Sequence, residues 1–429
     1  MSTSYFKVIE HAIPCQSIQE YPHAVKTDNP PLQLAVKQYI PLNNLNPGPD
    51  DITIIAGHAN GIPKECYEPI WDELLALTSV KIKAIWFADC SHQGASGVLN
   101  ERILGYDPNW FDHSRDLLCM VNHFRDLVQP PIVGVAHSFS CAQFVHLSIM
   151  HPRLFHTLIF LEPMIQVKSP SKLGGRSPAL WASTRPDLWP SLEAAETYIR
   201  DNPFWRKWDK RAVNQYIRFG FRSTPTALYP SSSPGAVTLT TTKAQEAWTY
   251  LRFNATPRAG VDNPHDPMER LLGPDVAVAG KEGDNNNRDY VTVSPWPCLG
   301  FEFLPYVRPS TLYVFGDKSH INIPDRRREK LQRTGTGLGG NGGVAAGRVR
   351  ADIIPGTSHL APLEKVSYTA RILSGWLELE IERYRKEKGF FDCEYNCGKS
   401  DRDGMALSTQ WMKYIKEPVN VKRPTKPHL

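Results

Sequence analysis

Val133-Gly134-Val135-Ala136-His137-Ser138-Phe139-Ser140-Cys141 reads as a short apolar strand that turns directly into a helix, with a serine at the apex. At such a corner the strand end and the helix start almost touch, so the residues two before and two after the apex must be small. Ala136 and Ser140 meet that demand, although the commoner form carries glycine at both places. A serine on so sharp a turn presents its hydroxyl for nucleophilic attack. Ser138 is therefore the first candidate catalytic residue.

Working outward, residues 6–13, 32–40 and 51–56 read as strands separated by Pro- and Asn-rich turns, the third ending at Gly57-His58-Ala59-Asn60-Gly61. Ile70, Leu74, Leu75 and Leu77 mark a helix, residues 82–87 a buried strand ending at Asp89, and residues 111–127 a second helix. After Ser138 come a helix reaching Met150 and a strand over 156–161. Short, fully apolar strands alternating with amphipathic helices predict a parallel sheet covered on both faces. The sheet resumes at 310–315 and 349–354, and a helix over 362–386 closes it, with Pro362 in its first turn. The glycine-rich stretch 335–347 between these strands is expected to be a mobile loop.

The pattern differs over residues 165–309. Aromatic residues dominate (Trp181, Trp189, Trp205, Trp208, Trp248 among them), with helical spacing over 192–199 and 244–253 and a polar excursion over 279–288. The expectation is a mainly helical lid inserted between two strands of the core. The domain reading is thus a first core part over 1–164, the lid over 165–309, a second core part over 310–387 and a tail over 388–429.

Composition sets limits. In 429 residues, 41% are hydrophobic and the net charge is only +5, enough for a large core and too little to steer a nucleic acid. The basic excess near residues 413–426 reads as a solvated tail. No basic segment followed by an apolar stretch opens the chain, and no apolar run is long enough to span a bilayer. The eight cysteines are scattered and mostly lie in apolar segments, as suits reduced thiols in an intracellular protein. Cys393 and Cys397 have no second Cys or His pair nearby, so no metal is expected.

In a parallel sheet the ligand-binding edge is the one to which the strands' C-terminal ends point. The polar residues there are His58, Ala59-Asn60, Asp89, Ser138, Glu162, Asp317 and His359. A serine, carboxylates and a histidine at separate strand ends suit nucleophilic acyl transfer. The chain here resembles the α/β-hydrolase family. The resemblance rests on Gly57-His58-Ala59-Asn60-Gly61, on Asp89, His92, Gly94 and Ser96, and on the Ser138 corner. It rests equally on Phe160-Leu161-Glu162-Pro163, Phe315-Gly316-Asp317 and Gly356-Thr357-Ser358-His359-Leu360. It covers residues 6–165 and 308–386. Within the family the texture around Trp110-Phe111-Asp112, Arg115-Asp116 and His151-Pro152 is similar to fungal hydrolases of the peroxisomal-lipase and AK-toxin-biosynthesis type.

The resemblance implies an α/β fold with a mostly parallel eight-stranded sheet, helices on both faces and the inserted lid. It implies Ser138 as nucleophile and His359 as base. For the acid two positions stay open: Glu162, directly after the strand that follows the corner helix, and Asp317, two residues short of the usual slot, which Ser319 occupies. Oxyanion donors are expected from the backbone of Phe139 and of Asn60 or Ala59, while His58, His92 and His137 are expected to shape the pocket or bond behind it. The activity implied is that of a lipase- or esterase-like serine hydrolase without cofactor, acting on an ester or thioester, and the aromatic insertion favours a bulky apolar acyl group. The alternatives are a silent member of the fold that binds a hydrophobic ligand, and an acyltransferase or cyclase using the same residues. Pro427-His428-Leu429 partly resembles a Ser-Lys-Leu-type peroxisomal signal, so an import receptor is a candidate partner and the location expected is peroxisomal or cytoplasmic.

Overall fold

The computed structural model describes residues 4–27, 30–168, 177–253, 291–396, 398 and 400–416. The stretch 279–288, Cys397 and the C-terminal tripeptide lie outside the described residues.

The first six strands are β1 (Phe6–Pro14), β2 (Gln33–Pro41), β3 (Ile52–Gly57), β4 (Ile82–Ala88), β5 (Ile132–His137) and β6 (Thr157–Leu161). Five short ones follow: β7 (Leu188–Trp189), β8 (Phe221–Ser223), β9 (Val237–Leu239), β10 (Leu251–Phe253) and β11 (Val291–Val293). The last two are β12 (Ser310–Gly316) and β13 (Val349–Ile354). One eight-stranded sheet runs β1-β2-β4-β3-β5-β6-β12-β13. Its only antiparallel pairs are β1–β2 and β2–β4, so β2 alone runs against the rest. Every residue of β3, β5, β6 and β12 is buried, which is why their sequences are mostly apolar rather than alternating. From β3 the chain crosses one way to β4 and returns the other way to β5. The C-terminal ends of β3 and β5 therefore flank the point where such sheets open a ligand crevice.

The corner after β5 is tightly built. Ser138 has φ 60°, and among the described residues only Ser138 and Glu162 are non-glycine residues with positive φ. Each follows a buried central strand directly, and such a conformation persists only where surrounding structure enforces it. Ser138 N–H donates to Leu161 O (3.0 Å), and Met164 N–H to Ser138 O (3.0 Å). Gly57 on β3 pairs with Ala136 on β5. A Cβ on Gly57 would sit 2.8 Å from both Ser140 Cβ and Phe144 Cε2. The neighbouring strand thus supplies a glycine where the corner itself has none. Ser140 uses its extra atom: its Oγ donates to the His58 carbonyl.

Several elements depart from the sequence reading. The segment between β6 and β12 contains helices (Pro178–Thr184, Leu192–Asp201, Lys210–Phe219, Lys243–Tyr250, Trp296–Phe303) but also a three-stranded sheet β7-β9-β8 and the pair β10–β11. Helical spacing over 244–253 holds only to Tyr250, beyond which Leu251–Phe253 is strand. The glycine-rich stretch 335–347 is not a free loop. Gly335 N–H donates to Leu304 O, Gly337 N–H to Pro305 O and Asn341 N–H to Val307 O, at 2.8, 2.8 and 3.1 Å. The closing helix is two helices, Ala361–Glu364 and Val366–Asn396, broken at Lys365. Trp376 fastens the longer one to the sheet, its Nε1 donating to Thr157 Oγ1 at 2.9 Å.

The chain divides into two compact units, 1–381 and 382–429. The second carries the end of the long helix, a capped turn at Asp401–Gly404 and the helix Thr409–Lys416, with Trp411, Tyr414 and Ile415 exposed. Among the described residues no helix is long and apolar enough to cross a membrane.

Replacing Gly57 by alanine should force the corner open against Ser140 and Phe144. The expected cost is about 1–3 kcal/mol of unfolding free energy, read from denaturant unfolding. A variant as stable as the parent would contradict the packing described.

Candidate active site

Three side chains from three strand ends meet in a line. Ser138 Oγ lies 2.8 Å from His359 Nε2, and His359 Nδ1 lies 3.0 Å from Glu162 Oε2. Because the carboxylate can only accept, the ring proton sits on Nδ1 and Nε2 is free to accept from the serine hydroxyl. Ser138 and Glu162 are buried, and His359 is partly exposed. His359 stands in the turn after β13, where Gly356 has φ 73° and Glu364 Oε2 accepts from Ser358 N–H (2.8 Å).

Glu162 is the most heavily bonded group in the site. Oε1 accepts from Gly316 N–H (2.6 Å), and Oε2 from Ser319 Oγ (2.7 Å), Asn322 Nδ2 (2.9 Å) and His359 Nδ1 (3.0 Å). Burial alone would raise its carboxyl, but the His359 bond and charge, then the Ser319 and Asn322 bonds, outweigh it and hold the group below its usual value. Gly316 has a further reason to be glycine. A Cβ there would lie 2.4 Å from Ser358 O and 2.6 Å from Thr357 O, so any side chain would push away the turn that carries His359. Arg327 Nη2 fixes the same loop by donating to Gly316 O (2.7 Å).

Asp317 stands outside this line. Its Oδ1 accepts from Thr357 N–H (3.1 Å), its nearest cation is the exposed Lys318 at 3.7 Å, and among the described contacts none joins it to His359. It caps the turn beneath the histidine. The slot in which Ser319 replaces a carboxylate is still engaged, because that serine donates to Glu162.

On the other side of Ser138, the backbone N–H groups of Phe139 and Asn60 have no acceptor among the described residues. Phe139 N–H opens the helix Ser140–Met150, where the aligned peptide dipoles favour a negative charge. The Ala59 amide differs from the sequence expectation. It donates to Tyr67 Oη (2.9 Å), so it is already committed. The loop around it is held from all sides. His58 Nδ1 bonds Ala59 O (2.9 Å), and its Nε2 accepts from Cys90 N–H (3.1 Å). Gln93 donates to Asn60 Oδ1 (2.7 Å) and accepts from Gly61 N–H (2.8 Å). Asn60 Nδ2 donates to Glu246 O (3.0 Å), which ties the loop to the inserted helix Lys243–Tyr250. His92 reaches that helix through Thr249 Oγ1 (3.0 Å), and Trp110 Nε1 donates to Thr249 O (2.9 Å).

His137 bonds Tyr67 Oη through Nδ1 (2.6 Å) and the His359 carbonyl through Nε2 (3.0 Å). Of these histidines, His137 touches the backbone of His359, whereas His58 bonds within its loop and to Cys90, and His92 bonds the inserted helix. Burial pushes His92 and His137 each down to about 3, keeping them neutral. Tyr67, Gln93 and Asn322 were not legible in the sequence. Gln93 falls between motif residues and could have been noted there; Tyr67 and Asn322 carry no local signal. Among the described residues no group of His, Cys, Asp and Glu is arranged to hold a metal ion.

No family model matches the chain. It is 39% identical over 446 residues to the type I acyl-CoA thioesterase mpaH' of Penicillium brevicompactum, across 97% of this chain and 96% of that protein. It is 27% identical over 304 residues to an abhydrolase domain-containing protein of Alternaria alternata, across 68% of this chain and all of the other. Among solved structures, a peroxisomal α/β-hydrolase of Saccharomyces cerevisiae superposes with a TM-score of 0.63 at 17% identity, over 92% of this chain and 99% of that one.

Two expectations follow from the Glu162 contacts. Ser319→Ala should cost about 1–3 kcal/mol, since it strips a donor from a buried carboxylate. Because the folded carboxyl lies below its ordinary 4.5, its stabilising effect is present above that pH and is lost as pH falls through the folded value. The stability gap between the parent and Glu162→Gln, followed by urea unfolding, should therefore narrow from neutral to strongly acid pH. A gap that widens would reverse the sign assigned to Glu162.

Proposed function

The chain belongs to the α/β-hydrolase superfamily, and from that premise we propose that it is a serine hydrolase cleaving the thioester, or ester, of a bulky apolar acyl group through an acyl-enzyme. That the protein is an ester-hydrolysing enzyme accords with its relatives. The observation that carries the finer reading is the line Ser138–His359–Glu162, with spacings of 2.8 and 3.0 Å. The thioester choice is supported by the acyl-CoA thioesterase at 39% identity.

In the proposed course, Ser138 Oγ attacks the acyl carbonyl while His359 Nε2 takes its proton. Glu162 keeps the ring in the Nδ1–H form and stabilises the imidazolium as it forms. The oxyanion is received by the N–H groups of Phe139 and Asn60, which have no other acceptor among the described residues. Collapse expels the thiolate, which takes the proton from His359 and leaves the acyl group on Ser138. A water then gives its proton to His359 and attacks the ester, and return of that proton to Ser138 Oγ releases the carboxylic acid. The described part of the insertion, within 177–253 and 291–309, would cover the site, and its aromatic character suits an apolar acyl chain. The helix Lys243–Tyr250, bonded to Asn60 and Gln93, would be a fixed wall of that cover.

Fluorophosphonate labelling and turnover of a fatty acyl-CoA beside p-nitrophenyl esters test this reading. Ser138→Ala should lose the label and nearly all turnover. Glu162→Gln should lower kcat by on the order of 10³–10⁴, and Asp317→Asn should leave it unchanged. Undiminished labelling of Ser138→Ala would sink the proposal.

A further inference from the structure

Behind the Ser138–His359 pair runs a second chain of hydrogen bonds in which the direction of every proton is fixed. His137 is fully buried, and burial, then the neighbouring His359, keeps its ring neutral with a single N–H. Its Nε2 faces the His359 carbonyl at 3.0 Å, and a carbonyl only accepts, so the proton is on Nε2. Nδ1 must then accept, and it does so from the Tyr67 hydroxyl at 2.6 Å. The same Tyr67 oxygen accepts the Ala59 N–H at 2.9 Å. The order is Ala59 N–H to Tyr67 O–H to His137 Nε2–H to the carbonyl of His359.

This chain begins in the loop that offers Asn60 N–H and ends on the backbone of the base. It links residues far apart in sequence that no other described bond connects so directly. Its middle is anchored independently, because Tyr67 ends the turn Lys64–Tyr67, whose Lys64 Nζ lies 2.5 Å from the buried carboxylate of Asp89. The Ala59 and Gly61 amides of the loop are thereby committed, whereas the Asn60 N–H has no acceptor among the described residues. Phenylalanine at 67 would keep the ring packing against Phe87 and His137, yet strand both the Ala59 N–H and His137 Nδ1.

We propose that Tyr67 and His137 are positioning residues that lock the oxyanion loop and the His359 backbone into one register, so that they govern turnover rather than substrate binding. The inference rests on the serine-hydrolase reading above. Misplacement of a catalytic group by a fraction of an ångström to an ångström acts on kcat and leaves KM little changed, because substrate contacts remain.

The test is steady-state kinetics of the full chain on a p-nitrophenyl ester and a fatty acyl-CoA, with Tyr67→Phe, His137→Leu and His137→Gln. Tyr67→Phe and His137→Leu are expected to lower kcat by about ten- to a hundredfold with KM within about threefold. His137→Gln restores an N–H donor and an acceptor on one planar group and should recover much of the loss, which a merely space-filling role would not predict. Should Tyr67→Phe fail to fold, the two His137 variants decide alone. An active parent with a Tyr67→Phe kcat within about twofold, or with His137→Gln no better than His137→Leu, overturns this inference alone. A parent inert to both substrates and to a fluorophosphonate overturns the underlying reading and this inference with it.

Discussion

A buried carboxylate that receives four hydrogen bonds organises this molecule. Glu162 sits at the end of β6 in a left-handed conformation, and its two oxygens draw in β12, the loop after it and the turn after β13. An unpaired charge at that depth would be strongly destabilising, so the surrounding donors are requirements rather than embellishments. Gly316 must be glycine to give its N–H while letting Thr357 and Ser358 pass above it. Ser319 and Asn322 must point inward. His359 is drawn to the one oxygen from which its other nitrogen reaches Ser138.

The remaining side of the site is built by a different device. Here the bonds nearest the loop after β3 are made by neutral amides, hydroxyls and imidazoles, and the buried Lys64–Asp89 pair stands one residue layer behind them. His58 bridges its own loop to the end of β4, Gln93 pins Asn60 and Gly61, and the inserted helix Lys243–Tyr250 closes the set through Asn60 and Thr249. The insertion is itself held by Arg252, which forms paired bonds to Asp107 (2.9 and 2.7 Å) and lies 3.6 Å from the centre of the Tyr21 ring. The loop Gly57–Gly61, proposed above to offer an oxyanion donor, is therefore held from two directions, by the sheet and by the inserted helix. That rigidity is what electrostatic preorganisation asks of a site receiving a developing negative charge.

Much of this was legible in the sequence, and the reasons are local. The Ser138 corner is written in nine consecutive residues, and the central strands in their mostly apolar, non-alternating runs. Ser138, Glu162 and His359 each follow an apolar run, so their places at strand ends are legible too. What stayed hidden depends on contacts between distant residues. The choice between Glu162 and Asp317 turns on which carboxylate faces the imidazole, and spacing along the chain does not contain that direction. Ala59 looked like an oxyanion donor because nothing nearby shows that Tyr67 takes its amide. The break at Lys365 and the strand Leu251–Phe253 have no such local signature, because an apolar period of three or four does not register where it stops. The glycines over 335–347 suggest freedom, whereas Gly335, Gly337 and Asn341 donate to residues 304, 305 and 307.

The central claim is that Glu162, not Asp317, holds the Nδ1 proton of His359. A proton NMR spectrum in water tests it most directly, since a ring N–H held to a buried carboxylate resonates far downfield of the amides and is identified by its absence in His359→Ala. The account requires that signal to persist in Asp317→Asn and to vanish in Glu162→Gln. A signal that survives the loss of Glu162 and disappears with Asp317 would contradict it.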